Sequence, residues 1–307
     1  MGKIVRVAAA QMAPVFLEQR ACVDKVCAAI REAGASGAQL VAFPEACVPG
    51  YPYWALVLDP LRINDFNLRL YKEAVTIPGP ATEVLCAAAR EARCHAVVGV
   101  NERDGGTLYN TQLFLGPEGE LLGRHRKLMP TSHERMIWGR GDGSDLRVFR
   151  TPLGTLGGLI CYEHANALYR YALQAQGEEI HIAAWLGGLP SINDIIDAAV
   201  RHYAFEAQAF VINVTGILTA DIIAALGEGG SVDQLQPGGG FSSIIAPGGR
   251  YLARAEPERE MLLYADLDFD AIADWKMIVD SCGHYARPDV VRLVLESRPQ
   301  RSLHIED

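Results

Sequence analysis

The chain reads as an α/β protein, with helices laid over the faces of a sheet. Two observations predict this. Apolar runs rich in Val, Ile and Leu alternate with segments of helical period along almost all of its 307 residues. The run Thr-Leu-Gly-Gly-Leu-Ile-Cys, 155 to 161, also stops abruptly at a thiol followed by Tyr-Glu-His, as a buried strand does where it leaves a sheet. Two charged residues occupy comparable junctions: Glu45 after Gln-Leu-Val-Ala-Phe-Pro (39 to 44), and Lys127 after Gly-Glu-Leu-Leu-Gly-Arg-His-Arg (119 to 126). A carboxylate, an ammonium and a thiol are therefore expected to meet at one end of one sheet.

Taken in order, residues 4 to 12 form the first strand, since polar Gln11 interrupts a stretch that would otherwise pass for a weak signal peptide. A helix over 17 to 34 leads to a strand at 39 to 43. Pro60 opens a helix over 61 to 75 whose interior is polar, and a further helix covers 81 to 93. Strands follow at 95 to 101, 108 to 115, 120 to 126 and 156 to 161, then a helix at 166 to 176, a strand at 180 to 186 and a helix at 192 to 207. Strands at 209 to 214, 242 to 246 and 261 to 267 precede a last helix at 268 to 279. The glycine-rich stretch 227 to 240 is a loop, either mobile or an ordered excursion. Segments 46 to 60 and 128 to 145, rich in Pro, Gly, Tyr and Trp, follow directly on Glu45 and Lys127, where binding pockets tend to be built.

Composition narrows the function. Half the residues are hydrophobic (50%) and 21% are charged, the balance of a soluble globular enzyme. A net charge of −9 repels phosphate backbones and anionic lipid, and no basic run interleaves with aromatics, so nucleic acid and membrane surfaces are excluded as partners. No apolar run approaches the roughly 20 residues of a transmembrane helix, and cytoplasmic residence is the expectation. Seven cysteines, at 22, 27, 47, 86, 94, 161 and 282, fit neither a disulfide framework nor a structural zinc site. Most are expected to be small buried hydrophobes, and Cys161 must be argued against that background.

Five motifs follow one another along the chain: Phe-Pro-Glu-Ala with Pro-Gly-Tyr-Pro-Tyr-Trp (43 to 54), His-Arg-Lys-Leu-Met-Pro-Thr-Ser-His-Glu-Arg (125 to 135), Trp-Gly-Arg-Gly-Asp-Gly-Ser (138 to 144), Gly-Gly-Leu-Ile-Cys-Tyr-Glu-His (157 to 164) and Gly-His-Tyr-Ala-Arg-Pro-Asp-Val (283 to 290). With these the chain resembles the nitrilases of the carbon-nitrogen hydrolase superfamily, the true nitrilase branch more than the amidase branches. The resemblance implies an α-β-β-α sandwich that pairs into an α-β-β-α-α-β-β-α homodimer or a larger homo-oligomer. It implies a single domain over 1–290 with a short tail at 291–307. It also implies a small organic nitrile as substrate, hydrolysed to acid and ammonia, and no metal or organic cofactor. The family's catalytic Glu, Lys and Cys fall on Glu45, Lys127 and Cys161, and its additional active-site glutamate on Glu134.

The chemistry agrees with the set. A nitrile carbon is a weak electrophile, and a thiolate is the side chain suited to attack it. Glu45 is expected to act as general base, Lys127 and backbone N–H groups after Cys161 to hold developing negative charge, and Glu134 to position Lys127 or a water. A helix beginning near Asn166 is expected to favour thiolate through its dipole. Each residue also has an inert reading: Glu45 as a charged residue capping a strand or pairing with an Arg, Lys127 as a solvated cation among Arg124, His125 and Arg126, Cys161 as a packed thiol. Their joint occurrence in family order outweighs these. Tyr53, Trp185 and Tyr162 are candidate substrate contacts, with Tyr51 and Trp54 weaker ones. Glu163 reads as a support beside the nucleophile, His164 as loop structure, and His284 as a maker of structural hydrogen bonds. The run Gly139-Arg-Gly-Asp-Gly-Ser lacks phosphate-loop spacing and reads as a turn.

Where the family often has Trp after the cysteine, Pro a little further on and Trp near Gly216, this chain has Tyr162, Ala167 and Ile217. These departures leave the nitrile class (aliphatic, aromatic or arylacetonitrile) open. The alternatives are an amidase or cyanide-hydrolysing relative with the same residues, or a non-catalytic assembly protein on the same fold.

Overall fold

The computed structural model describes residues 2–300. Its strands are β1 (Ile4–Gln11), β2 (Leu40–Ala42), β3 (His95–Asp104), β4 (Thr107–Leu115), β5 (Leu121–Arg126), β6 (Phe149–Thr151), β7 (Gly154–Ile160), β8 (Ile180–Trp185), β9 (Phe210–Thr215), β10 (Ser243–Ile245), β11 (Tyr251–Arg254) and β12 (Met261–Asp268). Its helices are α1 (Gln19–Ala35), α2 (Tyr53–Val57), α3 (Asn64–Glu73), α4 (Pro80–Ala92), α5 (Ala167–Gln174), α6 (Asn193–Ala207), α7 (Ala220–Leu226) and α8 (Asp270–Ile278). They build two six-stranded sheets, in the orders β12-β1-β2-β3-β4-β5 and β11-β10-β9-β8-β7-β6.

Alternation along the strands makes the sandwich. Val5, Val7, Ala9, Leu40, Ala42, Val97 and Phe114 of the first sheet meet Leu156, Ile180, Ile182, Phe210, Ile212 and Val214 of the second in one buried layer. The opposite faces are covered by helices. Ala8, Val41, Ala96, Val98 and Leu113 pack beneath α1 and α4, whose apolar stripes run Val23, Val26, Cys27, Ile30 and Leu85, Ala88, Ala89. Leu159, Ala183 and Val211 pack beneath α5 and α6, through Leu173 and through Ile196, Val200, Tyr203 and Ala204. The fold is an α-β-β-α sandwich.

The core elements lie within a few residues of their expected positions, and the differences have local causes. The helix expected over 61 to 75 is split into a 3₁₀ turn, Pro60–Arg62, and α3, since the pyrrolidine ring suits a first turn while the polar interior adds little burial. The short elements α2, α7, β6 and β11 were not anticipated: three to seven residues carry too few periods to register. Stretch 227 to 240 is the ordered alternative. Ser231 N–H donates to Val57 O (2.8 Å), and Gly238 and Leu218 exchange backbone hydrogen bonds (2.8 and 3.1 Å). Among the described residues no helix is long and apolar enough to cross a membrane.

One expectation is corrected by the topology. Glu45 and Lys127 follow β2 and β5 of the first sheet, whereas Cys161 follows β7 of the second. The three functional groups therefore meet across the seam between two sheets, not at the end of one. Close backbone approach there depends on Gly99, where a Cβ would lie 2.0 Å from Pro44 O and 2.8 Å from Ala46 N, so only a glycine lets the segment bearing Glu45 cross β3.

Candidate active site

Glu45, Lys127, Glu134 and Cys161 are all buried, and one oxygen of each carboxylate and the sulfur lie within 4.8 Å of one another. Lys127 Nζ donates to Glu45 Oε1 (2.8 Å) and to both oxygens of Glu134 (3.0 and 2.7 Å). This ammonium already supplies the positive charge that two carboxylates and a thiol would otherwise seek from a metal ion. Asn110 Nδ2 donates to Glu45 Oε1 (2.7 Å) while its main-chain carbonyl accepts from the Lys127 main-chain N–H (2.8 Å). Glu45 Oε2 is left buried and without a partner.

Backbone strain sits at the same points. Cys161 (φ 55°), Ala46 next to Glu45 (φ 48°) and Ser132 two residues before Glu134 (φ 44°) all adopt left-handed conformations, which cost a non-glycine roughly 1–3 kcal/mol each and persist only where surroundings hold them. Glu134 is held in the 3₁₀ turn Ser132–Met136 by Tyr51 Oη, which donates to its Oε1 (2.9 Å), and by Thr131 N–H on its Oε2 (2.7 Å). Glu163 joins the two sheets: its Oε2 accepts from Ile160 N–H (2.7 Å) and lies 2.9 Å from His125 Nε2, and its Oε1 accepts from Leu128 N–H (2.8 Å). It thus ties the residue before Cys161 to those flanking Lys127.

Charge states follow from burial and neighbours. Burial pushes Glu45 up, Lys127 pulls it back and Glu134 adds to the rise, which leaves it at about 7. Burial alone would lower Lys127, but the Glu45 carboxylate, Cys161 and Glu134 outweigh it and hold the ammonium protonated. Cys161 is pushed well above the ordinary thiol range by burial and by Glu45, against the opposing pull of Lys127 and of the Tyr162 backbone N–H. Burial and Glu45 thus favour the thiol form of the sulfur and oppose the thiolate-favouring dipole expected of a helix end. A five-residue 3₁₀ turn, Cys161–Ala165, separates the sulfur's residue from α5, whose first turn is capped by Asn166.

The candidate substrate contacts divide. Tyr53 lines a space beside Glu45 together with Tyr51, Leu186 and Ile217, of about 10 Å³, room for about one water. Its hydroxyl donates to Gly187 O (2.9 Å). Trp185 and Tyr162 pack edge to face and line a different, largely apolar cavity of about 570 Å³ between α5 and α6. Trp54 stacks on Phe66 and donates to Asn67, away from Glu45. His164 is not simple loop structure: it is buried, stacked on Trp185 with centroids 5.1 Å apart, and bonded to Cys161 O. His284 is exposed and makes no side-chain hydrogen bond among the described residues. Asn110 and the second role of Tyr51 were missed in the sequence. The only available signal was polar Asn110 inside the apolar-flanked run of β4, which alternation alone treats as a solvent-facing position.

Comparison with known proteins accords with this geometry. The carbon-nitrogen hydrolase family model matches residues 6–277. A nitrilase from Paraburkholderia phymatum is 43% identical over 299 residues, covering 97% of this chain and 88% of the relative. An aliphatic nitrilase from Rhodococcus rhodochrous is 41% identical, with 95% and 83% covered. Among solved structures, a carbon-nitrogen hydrolase from Helicobacter pylori superimposes with a TM-score of 0.75 at 17% identity, covering 93% of this chain and 96% of that one, a likeness of fold. On the family match across nearly the whole sandwich, the chain belongs to the carbon-nitrogen hydrolase family.

Proposed function

We propose that the protein hydrolyses an organic nitrile to its carboxylic acid and ammonia through a covalent intermediate on Cys161. The observation that carries the mechanism is the asymmetry of Glu45, whose Oε1 is held by Lys127 and Asn110 while its buried Oε2 has no partner. A base needs one such free oxygen. Glu45 takes the thiol proton as sulfur bonds to the nitrile carbon, and that proton passes to nitrogen to give a thioimidate. Water adds to the same carbon, giving up a proton through Glu45. Ammonia leaves and a thioester remains. A second water, activated by Glu45, displaces sulfur, which recovers its proton. The sum is RCN + 2 H₂O → RCOOH + NH₃. Lys127, held charged by two carboxylates, stabilises negative charge at nitrogen and then at oxygen, and Glu134 fixes the ammonium. If the tetrahedral intermediate expels sulfur first, amide is released instead.

Relatives named as nitrilases at 37–43% identity support the nitrile as substrate. The test is turnover of a panel of aliphatic, aryl and arylacetyl nitriles and their amides, with ammonia, acid and amide quantified across pH. Acid and ammonia from nitriles are expected. Glu45 at about 7 must be ionised to act, so kcat/KM falls about tenfold for each pH step below that value, and Glu45→Gln abolishes both the limb and the rate. Turnover of amides alone would assign the chain to the amidase reading. Silence on the whole panel would favour the non-catalytic one.

The seven cysteines are all free, which supports a reducing, cytoplasmic location. Exposed Leu168 on α5 and Ile195 and Phe205 on α6 support pairing with a second copy through the outer face of those helices. Sedimentation is expected to show a dimer at micromolar concentration that Phe205→Glu converts to monomer. An unchanged mass would remove that face as the interface.

A further inference from the structure

Behind the nucleophile lies a chain of buried polar groups that the mechanism above does not use. Glu178, His181, His164 and Tyr203 are all buried. His164 Nδ1 lies 2.7 Å from Cys161 O. A carbonyl only accepts, so Nδ1 carries the proton and donates. His164 Nε2 lies 2.9 Å from His181 Nε2. Burial and the neighbouring His181 hold the His164 ring well below the usual histidine range, hence neutral with a lone pair on Nε2. His181 Nε2–H must then be the donor. On its other side His181 Nδ1 lies 2.8 Å from Glu178 Oε1, so one proton is shared between that imidazole and that carboxylate. Tyr203 Oη donates to Glu178 Oε2, and its ring stacks on His181 with centroids 3.7 Å apart.

The two donors nearest the nucleophile, His181 Nε2–H and His164 Nδ1–H, run in one direction, toward the Cys161 carbonyl. The peptide they reach is the one whose N–H belongs to Tyr162, the residue directly after Cys161 at the start of the 3₁₀ turn. A hydrogen bond accepted by a peptide carbonyl makes its N–H a stronger donor, and aligned bonds in a buried chain reinforce one another by about 10–30% each. We infer that Glu178, His181 and His164 are positioning residues that hold the strained Cys161–Tyr162 peptide and polarise it, so that its N–H supports negative charge on the sulfur. Titratable and charged groups facing this chain are Arg170 of α5, whose Nη1 donates to His164 O (2.7 Å), Glu206 of α6, which pairs with Arg170 (2.8 Å), and His125 of β5. Trp185 and Tyr203 enclose the His164 ring.

The inference rests on Cys161 being the nucleophile, and its first readout does not require turnover. Purified enzyme is alkylated with iodoacetamide across pH, and modification of the Cys161 peptide is followed by mass spectrometry. His164→Asn retains an amide N–H where Nδ1 stood but cuts the link to His181, whereas His164→Ala removes both. Relative to wild type, the alkylation midpoint is expected to move to higher pH by about 0.5 in Asn and about 1 in Ala, with kcat down about tenfold and a hundredfold and KM within about threefold, effects no larger than loss of a direct oxyanion donor. Where Ala does not fold, Asn decides. A midpoint and kcat unchanged in the folded variants, or lowered thermal stability without a shifted midpoint, would overturn the inference. A shifted midpoint in an enzyme inert to every nitrile would instead overturn the proposed reaction and leave this role standing.

Discussion

Cys161→Ala is expected to lower nitrile turnover by at least about 10⁴-fold while the protein remains folded. The loss is large because no other group can form the covalent intermediate. Glu45 keeps its free oxygen and Lys127 its charge, but an uncoordinated water must then attack the nitrile directly, and removal of a nucleophile from a preorganised site costs of this order or more. The fold should tolerate the change. Only the sulfur is removed, from a residue 1% exposed at the end of β7, leaving a small void worth about 1 kcal/mol and a fall of a few degrees in Tm. Strain at φ 55° is unaffected, since alanine meets the same left-handed penalty. Circular dichroism and thermal unfolding measure the fold, and ammonia release measures the rate. Turnover comparable to wild type would remove Cys161 as nucleophile.

What the sequence revealed of this site, and what it hid, follows from the range of the forces involved. Strand ends at Ala42 and Ile160 were legible because apolar runs stop there, and burial is written residue by residue. That two sheets share the site was not legible from periodicity, since a strand's pattern records that a face is buried and not against which layer. Local pattern likewise made Lys127 a member of a basic cluster, when its nitrogen is in fact enclosed by carboxylates from β2's exit and from the turn at 132–136. The helix end near Asn166 was read correctly as a start, but the sulfur's ionisation is decided by burial and by Glu45, which are tertiary facts. His164 illustrates the same limit. Its neighbours in sequence suggest a turn, whereas its partners His181, Trp185 and Tyr203 are 17 to 39 positions away in the numbering.

Lys127→Met should lower stability as well as activity, and the pH dependence of the stability loss separates charge from packing. Methionine approximates the volume of the lysine stem, so the chief change is a buried ammonium lost from between two carboxylates whose side chains are 0–1% exposed. Removing one partner of a buried pair costs about 3–5 kcal/mol because the remaining charge is stranded. In the wild-type fold Glu45 stands at about 7, above its ordinary 4.5, even with Lys127 pulling it down. A carboxylate with a raised folded pKa binds a proton in the fold that the unfolded chain has released, so stability falls as pH rises from the unfolded pKa through the folded one. Without Lys127 the folded pKa moves higher still, and the penalty falls on the ionised form alone. Urea unfolding is therefore expected to show a deficit of about 3–5 kcal/mol near pH 8 that is smaller by about 1–1.5 kcal/mol near pH 5.5, where Glu45 is protonated in the fold. Turnover is expected to be down by about 10³-fold throughout, as for loss of a principal charge-stabilising group. A deficit equal at both pH values would show that the lysine acts through packing. Full stability at pH 8 would mean that the carboxylates find water or another cation when it is gone, and that the buried ion cluster does not organise this site.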